Sequence, residues 1–152
     1  MLRIGVISDT HGLLRKEAMD ALRGSDHIIH AGDIGNEDIL QALAGIAPVT
    51  AVRGNNDTGD WAKPLPETRL VQFEDVTLYV IHDLKQLDIQ PAAGGIAVVI
   101  AGHTHRPAIE EREHVIYLNP GSAGPRRFKL PVTVAELLIN RQSVTARIIA
   151  LE

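Results

Sequence analysis

The sequence predicts an α/β layered fold with a partly parallel sheet. Two observations carry that prediction. The first 54 residues alternate short apolar runs with helix-patterned stretches, in the order strand–helix–strand–helix–strand. The rest is rich in strand patterns and includes one continuous apolar run, "IAVVIAG" at 96–102, which reads as a strand buried on both faces.

Each element follows from its local pattern. "RIGVI" at 3–7 is a buried strand. In 13–24, Leu14, Ala18 and Leu22 share one helical face, and Gly24 is a natural stop. "HIIHAG" at 27–32 is a short strand. In 36–45, Glu37 and Asp38 sit near the positive end of a second helix that Gly45 closes. "VTAVRG" at 49–54 is a third strand, and "WAKPLPET" at 61–68 is the most loop-like internal segment. Residues 68–82 read as two strands turning at Glu74-Asp75. The stretch 86–95 holds at most a short helix before Pro91 and its glycines. Residues 108–119 and 132–151 read as hairpins, the second turning near Asn140-Arg141. Many β-branched residues favour extended chain in these last strands.

A chain of 152 residues, 45% apolar, suits a single domain over 1–152 with a sizeable core. Aromatics are only 3%, so Ile, Val, Leu and Ala must build that core. With no cysteine there is no disulfide framework, thiolate metal site or thiol nucleophile. Any metal must bind through imidazole, carboxylate or amide oxygen. The opening "MLRIGVISDTHG" lacks the pattern of a signal peptide, and no apolar run approaches a membrane span, so a cytoplasmic protein away from membranes is expected. The net charge of -4 gives no general attraction to nucleic acid. Arg126, Arg127 and Lys129 form one small basic cluster, readable as a solvated loop or a phosphate contact.

The polar residues concentrate at strand ends. "VISD" delivers Asp9 and, across Thr10, His11; "IIHAGD" delivers Asp33; "AVRGNND" delivers Asn55, Asn56 and Asp57; "LYVIHD" delivers His82 and Asp83; "VVIAGHTH" delivers His103 and His105. In α/β sheets the carboxyl ends of parallel strands open on one crevice. Taken singly, each residue has an ordinary explanation. His11 suits a turn, Asp9 a helix cap, Asp33 and 55–57 turns, and His82 a half-buried packing site. Packing gives no reason for five strand ends to share the habit. Imidazole and carboxylate suit first-row divalent metals, and these groups are too many for one ion. They suit two ions about 3.5–4 Å apart sharing a carboxylate. Glycines before Asp33, Asn55 and His103 allow close backbone approach. His30 reads as a packing or supporting residue, while His27 and His114 read as surface or loop positions. The turn Asn119–Ser122 can brace the rim through its amides and the Ser122 hydroxyl.

With Asp9-Thr10-His11, Gly32-Asp33, Gly54-Asn55-Asn56-Asp57, His82, Gly102-His103-Thr104-His105 and "NPGS" at 119–122 followed by Pro125 and Arg126, the chain resembles the calcineurin-like metallophosphoesterases. It is most similar to their small bacterial and archaeal phosphodiesterase branch, along essentially its whole length. The resemblance implies a four-layer αββα sandwich: two mixed β-sheets flanked by helices. It implies one ion on Asp9, His11, Asp33 and His105 and another on Asp33, Asn55, His82 and His103. Two divalent ions are expected, Mn first, with Fe, Zn, Ni or Mg as alternatives. The implied activity is hydrolysis of small phosphate diesters by a water shared between the ions, with Asn56, Asp57 and His103 as catalytic candidates. A homodimer or higher oligomer fits the branch. A non-enzymatic scaffold on the same fold, a phosphomonoesterase and a nuclease remain alternatives. Two positions depart from the pattern. Asn56 stands where larger members have a histidine, and it has no useful acidity. Asp83 stands where glycine commonly follows the histidine.

Overall fold

Short β-branched runs cannot bury both faces alone, and here they stack into two mixed sheets. The computed structural model describes residues 1–151. Their elements are β1 (Leu2–Ile7), α1 (Lys16–Leu22), β2 (His27–His30), α2 (Glu37–Ala44), β3 (Val49–Ala51), β4 (Thr68–Phe73), β5 (Val76–Ile81), β6 (Val98–Ile100), β7 (Ala108–Arg112), β8 (Val115–Asn119), β9 (Thr133–Asn140) and β10 (Ser143–Ala150). One-turn 3-10 helices occupy Asp60–Ala62 and Leu84–Gln86. No helix among the described residues is long and apolar enough to cross a membrane.

One sheet has the order β10-β9-β1-β2-β3 and the other β4-β5-β6-β8-β7. β1, β2 and β3 run parallel, with Ile7 beside His30 and His30 beside Ala51. β5, β6 and β8 are parallel in the second sheet, with Val80 beside Ile100 and Ile100 beside Leu118. The hairpins β4–β5, β7–β8 and β9–β10 supply the antiparallel pairs. Their turns place Glu74, Glu113, His114 and Arg141 at positive φ.

Alternation decides the layers. Ile4, Val6 and Ile29 of the first sheet meet Leu78, Val80, Val98 and Ile100 of the second in the central core. Ile7, Ile28 and Val134 face the other way and bury Ala18 and Leu22 of α1 and Ile39 and Leu43 of α2. Asn36 caps α2 by accepting from the Ile39 N–H at 3.3 Å. The outer face of the second sheet is covered more thinly. There Ile81, Val99 and Ala101 pack under Leu84 of a single 3-10 turn and under Ile96.

Helix α1 is shorter than the sequence pattern implies. Asp9, His11 and Gly12 all adopt positive φ, and the Leu13 N–H closes a turn on the Thr10 carbonyl at 2.9 Å. That turn delays the first helical residue to Lys16. His27 also departs from its surface reading. It opens β2, bonds Thr50 Oγ1 at 2.7 Å and sets its ring 4.9 Å from that of Phe73.

His30 is wholly buried and neutral. Its Nδ1 accepts from the Gly32 N–H at 3.1 Å, so its Nε2 donates to Thr10 Oγ1 at 3.0 Å. Thr10 in turn donates to the Ile34 carbonyl at 2.7 Å. Burial pushes the imidazole down to about 3, whereas an unfolded histidine titrates near 6.5. Between those values the unfolded chain binds a proton that the folded chain refuses. Stability therefore falls as pH drops through this window, by up to about 1.4 kcal/mol per pH unit. Urea midpoints of metal-free protein from pH 6.5 to 4 are expected to fall less steeply in His30→Gln than in the wild type. An unchanged slope contradicts this assignment.

Candidate metal centre

All the polar strand ends open on one edge of the sandwich. The loops after β1, β2 and β3 come from the first sheet, and those after β5 and β6 from the second. The first two loops are laced together by backbone bonds: Asp9 N–H to the Gly32 carbonyl (3.0 Å), His11 N–H to Asp33 (2.9 Å) and Gly12 N–H to Ile34 (2.8 Å).

The side chains gather in two groups, Asp9–His11–His105 and Asp33–His82–His103, each with its donor atoms within 4.8 Å of one another. The groups interlock. Asp33 Oδ2 lies 3.2 Å from His82 Nε2 and 3.7 Å from His11 Nε2. Asp9 Oδ1 lies 3.4 Å from His105 Nε2, 3.7 Å from His11 Nε2 and 3.9 Å from His82 Nε2.

Three features mark this as a cation site. Asp9 Oδ1, His11 Nε2, His82 Nε2 and His105 Nδ1 are buried and have no hydrogen-bond partner. Such groups are costly to leave unmatched, and a metal ion satisfies them. Secondly, Asp9, His11, Asp33, His103 and His105 all adopt positive φ, half of the ten non-glycine residues that do so among the described residues. Backbone held in that region clusters at functional sites. Thirdly, the preceding glycines leave room that no larger residue could share. A Cβ on Gly32 would lie 2.6 Å from His82 Nδ1, and one on Gly102 would lie 2.6 Å from Asp9 Oδ2.

The charges are mutually adjusted. Burial would raise the Asp9 carboxyl, but the imidazoles of His105, His11 and His82 overcome it and hold the group well below the carboxylate range. Burial likewise opposes the ionisation of Asp33, which His82 and the Asn56 N–H together keep low. The Asp9 carboxylate raises His11 against a smaller desolvation effect. His82 is lowered by burial, yet the Asp33 carboxylate 3.2 Å from its Nε2 and the Asp9 carboxylate leave it raised overall. A cation would replace those protons, because imidazole binds metal in its neutral form.

The supporting atoms fix each donor. His82 Nδ1–H donates to the Ala31 carbonyl at 2.7 Å, which turns Nε2 inward. Ser8 Oγ donates to Asp9 Oδ2 at 2.7 Å, and the His103 N–H meets the same oxygen at 3.0 Å. The Ser122 hydroxyl donates to the Asp9 carbonyl at 3.0 Å, and Asn119 Nδ2 donates to the Gly102 carbonyl at 3.0 Å. The 119–122 turn thus braces the site, as its composition predicts. The hydrogen-bonding roles of Ser8 and Thr10 have no sequence signal of their own: Ser8 only precedes Asp9, and Thr10 stands inside the Asp9-Thr10-His11 motif.

Asn55 lines a cleft with His82 and His103. Asn56 holds Asp33 twice, through its N–H to Oδ1 (2.9 Å) and its Nδ2 to Oδ2 (3.2 Å). Asp57 turns the other way. Its Oδ1 accepts from the Ile34 and Gly35 N–H groups and its Oδ2 from the Gly54 N–H. Both oxygens are used in tying loop to loop, so Asp57 positions the Asn55-Asn56 segment and does not orient the side chain at 56. The two groups differ in access. Asp9 and His105 are buried, whereas the His103 side chain is 42% exposed, with Nε2 3.8 Å from Asp83 Oδ2.

The model for the calcineurin-like phosphoesterase superfamily domain matches residues 2–142. A probable metallophosphoesterase of Methanothermobacter thermautotrophicus is 38% identical, over 96% of this chain and 91% of its own length. A solved archaeal phosphodiesterase superposes with a TM-score of 0.80 at 24% identity, covering 97% of this chain and 100% of that one. A zinc complex of Vps29 from Entamoeba histolytica superposes with a TM-score of 0.77 at 21% identity, covering 99% of this chain and 100% of that one. At these identities the two structural likenesses speak for the fold.

Proposed function

The chain belongs to the calcineurin-like phosphoesterase superfamily and is a metal-dependent phosphoesterase, and we propose that its preferred substrates are small phosphate diesters. The observation that carries the reading is the pair of interlocked Asp/His groups with unmatched buried donor atoms. We assign Asp9, His11, Asp33 and His105 to one ion and Asp33, Asn55, His82 and His103 to the other. Asp33 is the shared ligand, since its Oδ2 approaches imidazoles of both groups. Manganese is the first choice for the metal, although such nitrogen and oxygen donors also take Fe, Zn, Ni or Mg. Residues 1–152 act as one domain in this reading, because the ligands come from both sheets.

Two divalent ions at these residues would supply an acidified water and a clamp for phosphoryl oxygens. The chain's own groups then have defined tasks. Asp33 and Asp9 offset the positive charge. Asn56, held on Asp33, can direct its second Nδ2 hydrogen to a phosphoryl oxygen. It cannot protonate a leaving group. His103 stands at the exposed side, where an ester can enter. Asp83 adds negative charge there and disfavours a monoester, which carries more charge than a diester.

The test is turnover of bis(p-nitrophenyl) phosphate by manganese-loaded protein. Chelation is expected to abolish it and manganese to restore it. Without a general acid, alkyl diesters should react about 10²–10⁴-fold more slowly than aryl ones. Equal rates on both, with chemistry limiting turnover, contradict the role given to Asn56.

A further inference from the structure

Because only a 3-10 turn and a loop cover the outer face of the second sheet, two clefts open beside His103. Both include Asp83 and His103 in their walls. They differ in charge. The larger, about 820 Å³, has one cation, Arg53, against Glu67, Asp83 and Asp88. Arg53 is itself paired with Glu67 at 3.2 Å. The other, about 630 Å³, has four cations, Lys85, Arg106, Arg112 and Arg127, against Asp83 and Glu110.

Within the second cleft the pairing is incomplete. Glu110 is taken by Arg112 at 2.8 Å, and that guanidinium lies 4.6 Å from the centre of the Tyr117 ring. Lys85, Arg106 and Arg127 have no ion-pair partner among the described residues. They come from three separate segments: the turn after β5, the loop after β6 and the loop before β9. Three cations without ion-pair partners line one concave wall, and their like charge makes that wall attractive to an anion. The cleft meets the metal centre at His103, an exposed residue that belongs to both.

We propose that the Lys85–Arg106–Arg127 cleft binds a second anionic group of the substrate, so that the preferred esters carry a carboxylate, sulfate or further phosphate on one arm. This deepens the phosphodiester reading and rests on it for the word substrate. The acidic cleft receives the neutral arm, and the charge difference between the clefts fixes which way round the ester lies. The basic cluster at 126–129 is thus divided in role, with Arg127 facing the cleft.

The test uses the full chain and has two parts. Three p-nitrophenyl phenyl phosphate diesters carry a carboxylate, a carboxamide or a trimethylammonium group at the same position of the second ring. With manganese-loaded protein, KM is expected to be lowest for the carboxylate, by about tenfold relative to the carboxamide, the size of one charge-assisted hydrogen bond. Arg106→Gln combined with Arg127→Gln should raise the carboxylate ester's KM to that of the carboxamide. Equal KM values in the wild type, or a double variant that keeps the preference, overturn the proposal. The second part needs no turnover. Sulfate titrated into metal-free protein should shift the Nε–H NMR signals of Arg106 and Arg127 before that of Arg53. If none of the esters is hydrolysed but these shifts occur, the phosphodiester reading fails and the anion cleft stands. If esters are hydrolysed and Arg53 shifts first or all three shift alike, the cleft assignment fails.

Discussion

Replacing Asp33 by asparagine is expected to lower phosphodiester turnover by more than about 10³-fold, beyond the roughly 10²–10³-fold that a single oxyanion donor is worth. The asparagine variant separates charge from shape. Asp33 adopts φ 55°, and asparagine is among the few residues that tolerate that conformation. Its side-chain oxygen can still accept from Asn56, so the loop should keep its course. What disappears is the anion that lies within 3.7 Å of imidazoles from both groups. Asp9 alone then faces two divalent ions. Elemental analysis should find two ions per chain in the wild type and fewer in Asp33→Asn, with the same circular dichroism. A variant that holds two ions and turns over normally would remove Asp33 from the centre of the mechanism.

Gly54→Ala is expected to destabilise the protein by about 3 kcal/mol or more and to weaken metal binding as well, the upper end of what overpacking costs. The reason is space. A Cβ on Gly54 would fall on the backbone nitrogen and Oδ1 of Asp33, and would lie 2.9 Å from its Cα. Backbone cannot rotate away as a side-chain tip can. The strain would displace the carboxylate that links the two groups and the Gly54 N–H that Asp57 Oδ2 accepts at 2.9 Å. Gly94→Ala is the control, since its exposed Cβ would find nothing nearer than 3.7 Å. That variant should stay within about 0.5 kcal/mol of the wild type. Urea denaturation and metal titration of both variants measure the contrast, and equal stability of the two would refute the packing argument.

The residues of the two clusters were legible as candidate ligands because strands alternate and end abruptly. A buried run such as "VVIAGHTH" must release its polar residues together, on the side where parallel neighbours release theirs. The glycines before Asp33, Asn55 and His103 were legible for a related reason, since a residue without Cβ beside a polar group signals close approach. The start of α1 was less so. Helical periodicity in 13–24 does not reveal that Asp9 and His11 adopt left-handed backbone and push a turn into Leu13. The hydrogen bonding of Asp57 was illegible for another reason. Sequence puts it beside Asn56, but the loop turns its carboxylate onto the amides of Ile34, Gly35 and Gly54.

The sequence by itself determined the parts: which residues are candidate ligands, that thiolate is excluded, and that parallel strands bring those candidates to one edge. The resemblance already implied how those parts divide, and the tertiary structure supplied the distances behind the division. It grouped Asp9 with His11 and His105, and Asp33 with His82 and His103. It also set an acidic cleft against a basic one around His103. The physical reason is that strand patterns specify which face a side chain takes within its own sheet. The distances between side chains from different sheets depend on how the two sheets pack, and no local pattern encodes that.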